Sequence, residues 1–243
     1  MMDTIKIDSK NVKMVAHRGL SGIERENTCP AFVAAGNRSY YGIETDVHVT
    51  SDGKFVVIHD NTTERVSLGS VDVNVEEVTY DELKNIVLPD LDESTNRQDI
   101  RIPLLCDYIK ICKKYGKVCV LELKNEFTKS NIEKMIEEIK SLDYLEGMVF
   151  ISFSMKNCII LRSLLKDAKV QFLTFDEVTP VLVEELKVNN LDIDIYYKRL
   201  TRDLVKTFHA QNIQVNCWTC DIKEDAEALV EMGVDFITTN IVE

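Results

Sequence analysis

The chain has 243 residues, a formal net charge of −12 at pH 7, and 45% hydrophobic and 7% aromatic content. A surface this acidic repels nucleic acid and anionic lipid at long range, so any phosphate handled here belongs to a small molecule met in a locally basic pocket. No run approaches the roughly 18–20 apolar residues of a membrane span, the polar start MMDTIKIDSKNVKM lacks the apolar core of a secretory signal, and the 7 scattered cysteines fit reduced thiols; these features point to a cytoplasmic location without stable membrane anchoring.

The first apolar run, Val12–Ala16, has strand length and ends at His17. In the segment HRGLSGIERENT that follows, Gly19 and Gly22 permit a sharp turn, and Asn27 or Thr28 can cap a helix begun by Pro30, Ala31 and Phe32. A second run, Gly42–Val47, is followed by a break in rhythm from about 49 to 101. That stretch holds an extra strand-like run, Phe55–Ile58, and ends in Leu91–Arg101, where Asp92, Glu93, Asn96 and Asp99, with Asp90 just before them, suit a solvated loop. Strand-like runs then recur at Val118–Leu123, Met148–Ser152, Val170–Phe175, Ile193–Tyr197, Gln214–Trp218 and Phe236–Thr238. Between them apolar residues fall at helical spacing: Ile132, Met135, Ile136 and Ile139; Val181, Leu182 and Leu186; Ala226, Leu229 and Val230.

Eight strands alternating with helices predict an α/β fold, a (β/α)8 TIM barrel with an insertion after the second strand, within one domain covering 1–243. An open Rossmann-like sheet is the competing fold, but no G-x-G-x-x-G follows any strand.

In a barrel, alternate strand residues point inward and chemistry gathers at the C-terminal strand ends. Glu44 and Asp46 share one face of their strand, and Glu122 and Lys124 share one face of theirs. Three carboxylates aimed at one mouth repel each other unless a cation lies among them. All-oxygen ligation favours Mg²⁺ or Ca²⁺, while salt bridges to Arg18 or Lys124 are the alternative arrangement of the same residues. His17 and His59 both close strand-like runs, and an imidazole titrating near pH ~6.5 can give or take a proton. Arg18 offers a planar fork to a phosphate oxygen. His48 is expected to begin the loop and His209 to lie in the helical segment Asp203–Gln211, both structural or solvent-facing. CWTC at Cys217–Cys220 has the C-x-x-C spacing of disulfide oxidoreductases, but its place in the seventh unit of a long chain argues for two ordinary barrel thiols.

Taken in order, H-R-G, E-N-T, ETDVHVTSDGKFVVIHDNTTER, ELK and NCWTCD closely resemble the glycerophosphodiester phosphodiesterase family. The most specific part is Glu44, Asp46, Val47, Thr50, Asp52 and Gly53 followed by His59, Asp60 and Arg65, and RIPLL at Arg101–Leu105 is similar to the family's entry into its next helix. The resemblance implies hydrolysis of a small-molecule glycerophosphodiester to glycerol 3-phosphate and an alcohol. It places acid–base roles on His17 and His59, ligation of one divalent cation on Glu44, Asp46 and Glu122, and substrate contacts on Arg18, Lys124 and Trp218. Three departures stand out: Asp221 where asparagine is usual, Arg25 where proline is common, and TTNIVE without the proline usual near the last strand. Asp221 is expected to add negative charge at the mouth and favour a cationic alcohol.

Overall fold

A computed structural model describes residues 3–243; residues 1–2, the start of the polar N-terminal stretch, lie outside the described residues. The elements in chain order are β1 (Lys13–Ala16), α1 (Cys29–Gly36), β2 (Gly42–Val49), β3 (Phe55–Val57), α2 (Tyr80–Leu83), α3 (Leu105–Tyr115), β4 (Val118–Leu123), α4 (Lys129–Ser141), β5 (Met148–Ser152), α5 (Met155–Leu164), β6 (Lys169–Thr174), α6 (Pro180–Val188), β7 (Asp192–Tyr196), α7 (Arg202–Ala210), β8 (Val215–Trp218), α8 (Lys223–Met232) and β9 (Phe236–Thr239). Eight of the strands pair in parallel in the order β1-β9-β8-β7-β6-β5-β4-β2, and β1 pairs β2 to close the ring, the barrel expected from the alternation. Among the described residues no helix is long and apolar enough to cross a membrane.

Strand periodicity sorts the side chains into two cores. Val15, Val120, Val149, Ile151, Leu173 and Phe236 fill the barrel interior. Their alternates, including Ile43, Val47, Leu121, Leu123, Ile193 and Ile237, pack outward against the helices, where Ile132, Met135, Ile136 and Ile139 of α4 present one apolar stripe. Each such buried side chain contributes about 1.5–3 kcal/mol of transfer free energy. Five of the barrel helices start on hydroxyl caps: Thr28, Thr128, Ser154, Thr179 and Thr201 each accept a backbone N–H from the first turn. Gly116 and Gly233, at φ 63° and 87°, end α3 and α8 in the left-handed conformation.

Two expectations need adjusting. Strand β2 runs to Val49, because β3 pairs antiparallel with its upper end (Val47↔Val57, Val49↔Phe55), so His48 is a buried strand residue and not the start of a loop. The turn between them is T-S-D-G, with the Thr50 hydroxyl donating to Asp52 at 2.6 Å and Gly53 at φ 76°. The stretch 91–101 is anchored rather than wholly solvated: Ile100 joins Val56, Ile58, Val66, Val75, Leu83, Leu88 and Ile102 in a separate apolar cluster beneath the insertion. Most of its other residues are exposed, while Ser94, Arg97 and Arg101 are half-buried.

Candidate active site

The chain leaves β1 at Ala16 and must turn at once. Arg18 and Gly19 both take positive φ, 54° and 78°, which sends the Arg18 N–H to Glu44 Oε2 at 2.8 Å and the Gly19 N–H to the Glu44 carbonyl at 3.2 Å. A Cβ at Gly19 would lie 2.7 Å from Ala31. Gly19→Ala is therefore expected to destabilise the fold by about 2–5 kcal/mol, combining about 1–2 for the left-handed backbone with about 1–3 for overpacking, read from denaturant unfolding. A loss below about 0.5 kcal/mol would show that the turn relaxes freely.

Glu44, Asp46 and Glu122 meet on the inner face, where Asp46 and Glu122 are lateral neighbours on β2 and β4. One oxygen from each lies within 4.8 Å of the others, and the three residues are 2%, 1% and 7% exposed. The salt-bridge alternative is also realised: Lys124 Nζ stands 2.7 Å from Glu122 and 3.4 Å from Asp46, and Arg18 Nε stands 3.5 Å from Asp46. Asn27 Nδ2 donates to Asp46 Oδ2 at 2.8 Å, and the Thr45 hydroxyl holds the Asn27 carbonyl oxygen at 2.7 Å. Two cations do not balance three carboxylates. At about 4 Å each like-charge pair opposes folding by about 4 kcal/mol at an effective dielectric of ~20. Burial, and then the neighbouring carboxylates, push Glu44 well above the usual carboxylate range and Glu122 up to about 7. Burial works the same way on Asp46, but Lys124 and Arg18 outweigh it and hold Asp46 low. Its Oδ1, buried, makes no hydrogen bond among the described residues and has only the charge of Lys124 beside it, at 3.4 Å. A carboxylate oxygen so under-coordinated within a buried all-oxygen trio fits a hard divalent cation.

Both histidines reach this site. His17 hydrogen-bonds Asn240 Oδ1 through Nδ1 at 2.8 Å, which leaves Nε2 toward Glu44, 4.0 Å from Oε2. Burial, then the charge of Arg18, pushes His17 down to about 4. His59 follows β3, and its Nδ1 is held by Asp60 Oδ1 at 2.6 Å. Burial lowers it too, with Asp46 pulling the other way. Asp60 is itself held by Arg65 Nε at 2.6 Å, Arg65 grips Glu26 at 2.8 and 2.9 Å, and Glu26 receives Arg18 Nη1 at 2.9 Å. A chain of alternating charge thus runs from one histidine's loop to the other's. It explains why E-N-T, H-D and Arg65 belong with the site. His48 also serves it: wholly buried, it faces Glu76 at 2.9 Å and the His59 carbonyl at 3.3 Å. His209 sits on α7 at the surface beside Asp235.

His17, Arg18, Glu44, His59, Glu122, Lys124 and Trp218 line one cavity of about 190 Å³ at the C-terminal strand ends. Trp218 packs edge-on against Phe153 (5.6 Å) and donates from Nε1 to the Asp194 carbonyl at 3.3 Å, so the cavity has an apolar wall facing its ionised one. A larger cavity of about 450 Å³ at the opposite barrel end, between Tyr41, Leu145, Lys166 and Lys169, gathers no comparable ionisable set. Asp194, on β7 at the cavity floor and absent from the sequence reading, is buried with Oδ1 unpaired; its strand-interior parity was the signal that marks it. Cys217 and Cys220 are buried free thiols, with burial lifting Cys217 well above its ordinary value and Cys220 up to about 11, the opposite of a redox pair's activation. Asp221 corrects an expectation. Its carboxylate is taken up by Thr239 and Asn240 and does not line the cavity, so it is not offered directly to a head group.

A closed parallel barrel whose strand ends converge carboxylates, imidazoles and two cations on one cavity defines an enzyme of the barrel class. Residues 17–243 match the glycerophosphoryl diester phosphodiesterase family, and the chain belongs to that family of phosphoric diester hydrolases. It is 28% identical over 229 residues, 93% of each chain, to the glycerophosphodiester phosphodiesterase of Caldanaerobacter subterraneus subsp. tengcongensis. The crystal structure of a glycerophosphodiester phosphodiesterase from Parabacteroides distasonis is 30% identical, covers 95% of this chain and 93% of its own, and superposes with a TM-score of 0.80. An Oleispira antarctica phosphodiesterase, solved in complex with the product sn-glycerol-3-phosphate, shares the fold at a TM-score of 0.85 and 22% identity, covering 97% of this chain and 95% of its own.

Proposed function

We propose that this protein hydrolyses small-molecule glycerophosphodiesters to glycerol 3-phosphate and an alcohol, with His17 and His59 as general acid and base and one Mg²⁺ or Ca²⁺ held by Glu44, Asp46 and Glu122. The observation that carries this reading is the buried carboxylate trio sharing one cavity with two imidazoles, a guanidinium and an ammonium. The product bound by the Oleispira relative supports the same substrate class. Bound there, the cation supplies positive charge against a phosphoryl oxygen.

The protein's own groups do the rest. Burial works against the charge on Arg18 and Lys124, but Asp46 and its neighbouring carboxylates outweigh it, so both remain cationic and offset negative charge as it grows on phosphorus. One imidazole takes the proton of the attacking oxygen and the other delivers a proton to the departing alkoxide. Trp218 and Phe153 offer the apolar wall to carbon atoms of the substrate. With a divalent cation added to Arg18 and Lys124 the pocket would suit a small anion, while a chain of charge −12 repels a nucleic acid backbone at long range.

The test is direct. Incubation with glycerophosphocholine, glycerophosphoethanolamine or glycerophosphoinositol should release glycerol 3-phosphate with Mg²⁺ or Ca²⁺ and none with EDTA. Early accumulation of a cyclic glycerol phosphate identifies the glycerol 2-hydroxyl as first nucleophile, and direct release identifies water. No release from any of the three under either metal sinks the reading.

A further inference from the structure

We infer that Asp221 and Asn240 are positioning residues that select the tautomer of His17. Asp221 takes three donors: the Thr239 hydroxyl (3.0 Å) and the Asn240 backbone N–H (2.7 Å) on Oδ1, and Asn240 Nδ2 (2.6 Å) on Oδ2. A carboxylate only accepts, so the Asn240 amide must turn its NH₂ to Asp221. Its carbonyl oxygen is thereby obliged to face the opposite way, where His17 Nδ1 lies at 2.8 Å and the Ser21 hydroxyl at 2.6 Å. Facing an acceptor, Nδ1 carries the hydrogen, and in the neutral ring the lone pair falls on Nε2, the atom on the Glu44 side of the cavity.

The arrangement cannot drift as a unit. The Asn240 carbonyl receives the Gly22 N–H at 2.9 Å, and His17 gives its own N–H to the Thr239 carbonyl at 2.8 Å, so the ends of β1 and β9 are laced together around the ring. A Cβ at Gly22 would meet the Asn240 oxygen at 2.8 Å, which closes the remaining space. With an amide in place of the Asp221 carboxylate, its oxygen stays under the Asn240 backbone N–H and the Thr239 hydroxyl, so its NH₂ meets the Asn240 side chain, which must turn its own carbonyl oxygen to accept. The direction of the relay is then reversed while its shape is kept, and an NH₂ faces His17 Nδ1.

This inference rests on the acid–base role proposed for His17, and its test separates the two. Long-range ¹H–¹⁵N spectra of the histidine rings are recorded on ¹⁵N-labelled protein with chelator at pH 8, His17 being assigned by its loss in His17→Ala. They should show the pure Nδ1–H form in the natural protein and a switch toward Nε2–H in Asp221→Asn. With metal and glycerophosphodiester, Asp221→Asn should lower kcat by on the order of 10- to 100-fold, with KM within about 2-fold. The double swap Asp221→Asn with Asn240→Asp again sets an acceptor-only group against Nδ1 and should restore the single tautomer and most of kcat. An unchanged Nδ1–H form in Asp221→Asn, an unchanged kcat beside an altered tautomer, or a swap that restores neither overturns the inference. If the natural protein turns over no glycerophosphodiester, the proposed function falls and the ring spectra alone still decide this point.

Discussion

His59→Ala will lower kcat by ~10²- to 10⁴-fold, and His17→Ala will do the same, each leaving the thermal midpoint nearly unchanged. The size follows from what a positioned imidazole does: it moves a proton within the transition state, which water does poorly at neutral pH. The small effect on stability follows from placement, since the two side chains are 18% and 32% exposed and pack against polar neighbours rather than core. For His59 the orienting partner is Asp60, whose carboxyl Arg65 and His59 hold down at about 2 against the effect of burial. Asp60 is thus anionic at neutral pH and stabilises a proton gained by His59, as the buried aspartate of a hydrolase triad does. The double variant should cost less than the product of the two single losses, because groups that work as a unit on one displacement do not act additively. Full, metal-dependent turnover by both single variants would remove the histidines from the mechanism.

Glu122→Gln will abolish the stabilisation that Mg²⁺ or Ca²⁺ confers and lower activity by on the order of 10³-fold, since the ion supplies several kcal/mol at the transition state. In the natural protein, metal at 100 times its dissociation constant should raise the unfolding free energy by about 2.7 kcal/mol, a shift of roughly 5–11 °C in Tm. Without metal the same substitution has the opposite tendency. Burial and Asp46 raise Glu122 from 4.5 to about 7 in the folded chain, so its stabilising proton is fully present below 4.5 and lost as pH rises through 7. Chelated natural protein therefore loses stability between these limits through this residue, and Glu122→Gln should reduce that loss. Calorimetry at pH 5.5 and 8, with metal and with EDTA, reads both effects. A variant that still gains stability from the metal would place the ion elsewhere.

The barrel was legible because strand and helix differ in hydrophobic period, and eight strand-like runs leave few other closures. The inward aim of Glu44, Asp46, Glu122 and Lys124 was legible for the same reason: a period of two assigns faces without knowledge of any contact. What stayed hidden depends on contacts between distant segments. Glu26, Asp60 and Arg65 are 34 and 39 positions apart at their extremes along the sequence, and nothing in pattern or propensity says that Arg65 closes back over Glu26. Asp221 illustrates the limit most clearly: its place near the mouth was readable, but the direction of its carboxylate was set by an amide 19 residues later. The length of β2 escaped for a similar reason, since β3 extends it from outside the ring.

That long strand shapes how the enzyme tolerates error. A slip of β2 by a single position would turn Glu44 and Asp46 into the helical layer and bring Thr45 and Val47 inside, erasing the chemistry without unfolding anything else. The protein guards against this with three partners on one strand: β1 engages Gly42 and Ile43, β3 takes over the same edge at Val47–Val49, and β4 runs the length of the other from Gly42 to Val47. Misalignment there must break all three seams together, so the position of the two carboxylates is proofread by the sheet itself.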